Sequence, residues 1–403
     1  MVRLVGNVDL VTSSTPNLAS ALDIDASLTE IERDLNLLLN VTPVNAAEAW
    51  GDFERSDFGT PPTLQLRALE FEPDLVRRGL YDLQIEDVTD PALHTLFRSK
   101  RDELARQITA LEDRDTERFV YGSLQLYGGV AQPLVSAAEE LLEAIPQQAP
   151  STRSVTAGAF AEAVRTEFDR YRAMYPDFPA DFEVRDDVSE LMVSFGRLLI
   201  PEAASFRADR VEPLMHHEIG THVVTYQNGA RQPLKMLATG LPGYDETQEG
   251  LAVLAEYLTG GLDPRRLRVL AGRVVAVAEM LDGAGFPEIF ESLRAKHGIP
   301  TRTAWSITIR VFVGGGSVKD AIYLRGIKRI LESLAEGGSL DVLFVGKLAL
   351  DHIPLIQDLL DRGVLVAPWV RPRWLDVPGA QERLARLREG ASVTDLFERE
   401  VST

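Results

Sequence analysis

The chain has 403 residues, with 61 acidic side chains against 42 basic ones and a formal net charge of −19. That balance excludes a non-specific nucleic-acid surface, which needs clustered Lys and Arg, and disfavours docking on an acidic surface. There is no cysteine, so disulfides and thiolate ligands are excluded, and a metal site would have to use imidazole and carboxylate.

Residues 1–25 are polar, with Ser13-Ser14-Thr15-Pro16, and read as a flexible arm. Neither the opening Met1–Gly6 nor any later run is apolar enough for a signal peptide or a membrane span, so cytoplasmic residence without a membrane partner is expected. From Ser27, with Glu30 completing a capping box, Leu28, Ile31, Leu35 and Leu38 recur at helical spacing as far as Asn40. Residues 41–62 read as a loop, and helical periodicity returns over 63–80, 91–112 and 133–145. Residues 26–150 thus form an N-terminal helical subdomain without a chemical motif of its own.

Gln147–Thr152 punctuates the chain, and residues 151–335 read as the catalytic domain. A helix over 155–175 precedes short strands at Phe182–Arg185, Leu191–Ser194 and Arg197–Ile200, with Phe195-Gly196 as the turn of the second pair. Either of the last two strands is the candidate edge for pairing with an extended substrate. The fold class expected is mainly α with a small antiparallel sheet (α+β).

The next stretch carries the chemistry. Met215-His216-His217-Glu218-Ile219-Gly220-Thr221-His222 lies on a helix with Asp209 and Glu212 as a capping box at its start and Asn228-Gly229 as its stop. A second helix opens at Asp245 and carries Gln248-Glu249-Gly250-Leu251-Ala252, with Glu249, Ala252 and Glu256 on one face. Buried histidines alternating with glutamates at this spacing point to zinc ligation by His217, His222 and Glu249. His217 and His222 are five apart, one more than in HExxH, which turns the rings about 140° from each other on an ideal helix. A π-turn near Gly220 would return them to one face, so a local π-turn or a helix break is expected there. Glu256 is placed to hydrogen-bond a ligand, and His216 points away from His217.

Long helices follow over 264–282 and 287–296, then an apolar stretch Trp305–Phe312 carrying Arg310. Gly314-Gly315-Gly316 lacks a phosphate-loop ending and reads as a hinge or lid before a helix over Lys319–Leu334. Residues 336–403 form a C-terminal closing unit with helices over 350–362 and 379–388.

The HEIGTH run, Tyr226-Gln227-Asn228-Gly229 and the QEGLA run resemble the bacterial QEGLA-motif proteins, relatives of the microtubule-associated tyrosine carboxypeptidases. Supporting features are Arg118-Phe119, Ser123, Leu126-Tyr127-Gly128, Lys319-Asp320 and Tyr323-Leu324-Arg325-Gly326. The resemblance implies a zincin-like metallopeptidase core binding one Zn2+ per chain, with Glu218 as general base. Its substrate would be the C-terminus of a peptide or protein.

Two imidazoles and a carboxylate leave one coordination position open for water, beside Glu218. Tyr323 and Arg310 are the candidates for steadying the oxyanion. Arg310, Lys319 and Arg325 are the candidates for meeting a terminal carboxylate. The residues leave two alternatives open: a zinc endopeptidase, and a regulatory binding protein on the same scaffold. They do not fix the oligomeric state.

Overall fold

The computed structural model describes residues 16–147, 153–188 and 190–397. The architecture is mainly helical with a small sheet, as the sequence patterning requires. Local chemistry explains many boundaries. The helix Pro91–Glu112 starts where Asp90 accepts the N–H groups of Ala92 and Leu93, with Pro91 in the first turn, where its missing N–H costs nothing. Its buried stripe includes Leu93, Phe97, Leu104, Ile108 and Leu111.

Several expectations for the first 150 residues need correction: the stretch 41–62 expected as a loop carries a helix, Ala46–Arg55, and Ser27 lies inside a helix, not at its start. The helix expected over 63–80 runs Pro73–Asp82, because Pro73 fixes its start and cannot sit in a helix interior. The expected arm is helical from Pro16, in a helix Pro16–Leu35, while residues 1–15 lie outside the described residues. Within that helix Asp25 is buried, and its carboxylate accepts the N–H groups of Lys235 and Met236. A long-range tie of this kind is invisible in local composition.

Five short strands follow in chain order: β1 Ser154–Thr156, β2 Phe182–Arg185, β3 Met192–Ser194, β4 Arg197–Pro201 and β5 Ser205–Arg207. β1 and β5 pair antiparallel, and β3 and β4 form an antiparallel hairpin closed by Phe195 (φ 47°) and Gly196 (φ 79°). A parallel pairing with β2 puts β4 in the centre of the order β2-β4-β3. Arg197–Ile200 is therefore not an edge, and β3 is the edge strand of that hairpin. Among the described residues no helix is long and apolar enough to cross a membrane.

The hydrophobic interior falls into two clusters. The larger runs from Ala21 to Leu396 and includes Leu251, Leu254 and Leu258 of the glutamate-bearing helix Tyr244–Leu258. The smaller joins the helix Ala157–Met174 and β4 to Met215, Ile219, Val223 and Val224 of the histidine-bearing helix. Each of the two motif helices thus packs into a different core, and His217, His222 and Glu249 meet between them.

Candidate metal centre

The histidine-bearing helix is α-helical over Val211–His217, π-helical over Glu218–Val223 and α-helical again over Val224–Ala230. The π segment absorbs the additional residue between His217 and His222, and their ring centroids lie 5.2 Å apart. Thr221 Oγ1 donates to the His216 carbonyl at 3.1 Å, within the widened turn. Gly220 matters here for space. A Cβ there would come within 2.8 Å of Trp374 Cδ1, and Trp374 Nε1 donates to the Gly220 carbonyl at 3.0 Å. An aromatic ring from the C-terminal unit thus seals a carbonyl of the π-turn.

The start of this helix differs from the sequence reading, while its end agrees to within about two residues. Asp209 accepts from the Arg207 guanidinium and caps no backbone group. The helix ends at Ala230, one residue past Gly229, and the Asn228 amide also clamps the C-terminal unit. It accepts from Trp369 and Val370 N–H and donates to the Val370 carbonyl. A buried amide is stabilised by satisfying all its hydrogen-bonding groups, and those partners lie about 140 residues downstream.

The glutamate helix crosses the helix Ile322–Ala335 at Gly250 and Gly326, whose backbones approach so closely that a Cβ on either would collide with the other helix. That crossing sets the position of Glu249. Thr225 Oγ1 donates to Gln248 Oε1 at 2.7 Å and ties the two motif helices together.

His217, His222 and Glu249 meet with one ligand atom from each lying within 4.8 Å of the others. Glu249 Oε2 stands 3.6 Å from His217 Nε2 and 3.8 Å from His222 Nε2. This oxygen is buried and has no hydrogen-bond partner. A buried carboxylate oxygen left unpaired between two imidazole nitrogens is costly unless a cation completes the set, so the residues fit a metal ion.

His217 Nδ1 donates to Glu256 Oε1 at 2.8 Å, which leaves Nε2 free to ligate. Glu256 is fully buried and itself held by Arg210 at 2.8 Å, with Arg266 at 3.6 Å. Burial opposes a charged His217, but Glu249 and Glu256 outweigh it and lift its pKa to about 9. His222 lacks such an acceptor, and burial pushes its pKa down to about 4. Burial would raise the Glu249 carboxyl, yet His217 and the charges of both histidines hold it well below the usual range. Glu218 lies against His217 at 4.0 Å, with its pKa pushed up to about 7 by burial first and then by Glu249 and Glu256. His216 is buried on the smaller core's side, away from this cluster, and burial lowers its pKa.

The remaining candidates divide. Tyr323 lies beside the cluster: after burial, the charge of Glu249 is the main cause raising its phenol pKa. Arg273 stacks on its ring at 4.6 Å. Arg310 is committed to Asp320 through a bidentate pair and to Glu190 at 2.6 Å. Lys319 pairs with Asp245 at 2.8 Å, and Arg325 with Glu246 and the Tyr127 and Gly129 carbonyls. Gly314 and Gly315 pack against Phe119 and Thr116 respectively, so the expected hinge or lid is instead a tightly docked turn.

Sequence reasoning missed Arg210, Arg266 and Lys347. Lys347 is the lone charge in the apolar run Phe344–Ala349, which was a readable signal. The other two carry none that distinguishes them from surface arginines.

No curated protein matches this chain. A family model described as microtubule-associated tyrosine carboxypeptidase matches residues 51–392, which takes in every residue of the His/Glu cluster. The chain belongs to the microtubule-associated tyrosine carboxypeptidase family.

Proposed function

We propose that this protein is a zinc-dependent carboxypeptidase that removes the C-terminal residue of a peptide or protein, with tyrosine as the family's implied leaving residue. The observation that carries the reading is the buried, unpartnered Glu249 Oε2 facing two imidazole nitrogens. His217, His222 and Glu249 would hold the ion, and Glu256 would keep His217 in the ligating tautomer. Zinc bound there supplies Lewis acidity toward water and the scissile carbonyl.

The chain's own groups do the proton work. Glu218 takes the proton of the attacking water and passes it to the leaving amine nitrogen as the C–N bond breaks. Its burial disfavours the charged form, so it holds that proton readily near neutral pH. The Tyr323 hydroxyl donates to the oxyanion that develops on the carbonyl oxygen. Arg273 over its ring, with Arg310 and Lys319 nearby, favours negative charge at that position. Arg310 and Lys319 thus act on the substrate through the local field while keeping their own acidic partners.

Two measurements test the reading. Elemental analysis should find one zinc per chain, and substituting His217 or Glu249 should abolish it. A peptide with a free C-terminus should lose its last residue, whereas the same peptide amidated should be a poor substrate. Equal cleavage of both would replace the carboxypeptidase by an endopeptidase. Absence of metal after zinc loading would remove the reading altogether.

A further inference from the structure

A carboxypeptidase of the kind proposed above needs a cation for the substrate's terminal carboxylate. One residue separates that carboxylate from the scissile carbonyl carbon, so the two lie within about 4 Å. The receptor must therefore stand beside the ligand helices. Arg310, Lys319 and Arg325 each already hold a carboxylate.

Lys347 has what they lack. Its residue is only 8% exposed, and its ammonium has no hydrogen-bond acceptor and no carboxylate partner among the described residues. Nζ lies 5.9 Å from the ring of Tyr226 and 5.5 Å from that of Tyr244. Tyr226 is one helical turn past His222, and Tyr244 opens the helix that carries Glu249. The ammonium thus stands between the two helices that supply the ligands.

Its backbone is fixed. The Lys347 N–H donates to the Leu237 carbonyl at 2.7 Å, and its carbonyl accepts from Leu241 N–H at 2.9 Å. The acids whose charge reaches Lys347 are Asp245, Glu32 and Glu249, and each has other work. Asp245 pairs with Lys319, Glu32 pairs with Lys100, and Glu249 faces the two histidines. A fixed backbone, two aromatic faces and an ammonium with no carboxylate partner among the described residues make a site organised for an incoming anion.

We infer that Lys347 receives the free α-carboxylate of the substrate's C-terminal residue, and so sets the exopeptidase register of the site. The inference rests on the carboxypeptidase reading. It makes Lys347 a specificity residue that touches substrate and takes no part in proton transfer.

The experiment uses zinc-loaded Glu218→Gln protein, which binds without turning over. An acetylated tripeptide ending in tyrosine, as free acid and as C-terminal amide, is titrated calorimetrically. The Glu218→Gln protein should favour the acid by about 10–100-fold, the worth of one charged hydrogen bond. Adding Lys347→Met or Lys347→Gln should shrink that preference below about threefold, while Lys347→Arg should keep most of it. In the active background, Lys347→Gln should raise KM for the free acid much more than it lowers kcat.

An undiminished acid preference in a Lys347→Gln chain that melts like its parent overturns the inference and leaves the carboxypeptidase reading standing. No acid preference in the Glu218→Gln protein itself overturns both. The Arg and Gln variants keep polar heads on the same stem, so the result does not depend on the Met variant folding.

Discussion

Two buried charge clusters a short way apart in this molecule are built on opposite principles. At Lys100 the buried cation is fully satisfied, although Glu32 Oε2 accepts from nothing. The ammonium donates to Glu32 at 2.6 Å, Glu103 at 3.0 Å and the Gly240 carbonyl at 2.8 Å, while Glu103 also accepts from Gly243 N–H. At His217, His222 and Glu249, a carboxylate oxygen is buried with nothing to accept from. The first cluster is a structural rivet that fixes the lead-in to the glutamate helix. The second is incomplete without a further group, and that incompleteness is what marks it as functional. What tells the two apart is the cation: the chain supplies Lys100 to the first cluster, whereas the free oxygen of the second faces two imidazole nitrogens.

The largest effect comes from breaking the chemistry at the incomplete cluster. Glu218→Gln should keep zinc by elemental analysis yet lower hydrolysis by about 10²–10⁴-fold, the usual worth of a general base. Turnover near that of the parent would assign the base elsewhere. The satisfied cluster should answer in a different observable. Lys100→Met strands Glu32 and Glu103 in the interior and should cost about 3–5 kcal/mol in denaturant unfolding. The fraction still folded should bind zinc normally. A loss of metal at unchanged stability would reverse the comparison.

Asp25 sharpens the contrast as a buried acid with backbone donors only. Burial raises its pKa from 3.8 to about 6, against the opposing effect of the Lys235 and Met236 N–H groups. Between those values the folded state binds more protons than the unfolded one. Its contribution to stability is therefore fully present below pH 3.8 and lost as pH rises to about 6, at up to about 1.4 kcal/mol per unit. Asp25→Asn should gain on the parent as denaturation is moved from pH 4.5 to 7. A constant difference across that range would show that the carboxyl titrates normally.

The smallest effect tests the geometry that joins the two histidines. Gly220→Ala pushes a methyl onto Trp374 and should cost about 1–3 kcal/mol through overpacking. A shift of the helix should also weaken zinc binding, since His217 and His222 flank that position. Full stability with full metal content would mean that Trp374 yields freely.

Much of the site was legible because it is local. The HEIGTH and QEGLA runs place ligand types at helical spacings, and the additional residue between two histidines calls for a π-turn or a helix break, of which the structure has the π-turn. The helix Pro91–Glu112 was readable for the same reason, since Asp90 and Pro91 are adjacent to what they cap. Misreadings arose where a distant partner took over a local signal. Asp25 falls in a stretch with the composition of an arm, yet its carboxylate accepts the Lys235 and Met236 N–H groups from within a helix. Gly314–Gly316 has the composition of a hinge, yet Phe119 and Thr116 pack against it.

The sequence by itself determined the class of fold, the family and which residues are equipped to hold a metal. The class of fold follows from composition and periodicity, the ligand types from spacing along two helices, and the family from the resemblance of the HEIGTH and QEGLA runs. Only the tertiary structure decided which charges are spent and which are free. Arg310, Lys319, Arg325 and Lys347 are alike as residues, but three have carboxylates brought to them from elsewhere in the chain and one does not. The physical reason is that pairing depends on distances between segments up to hundreds of residues apart. Burial then makes each pairing, or its absence, energetically decisive.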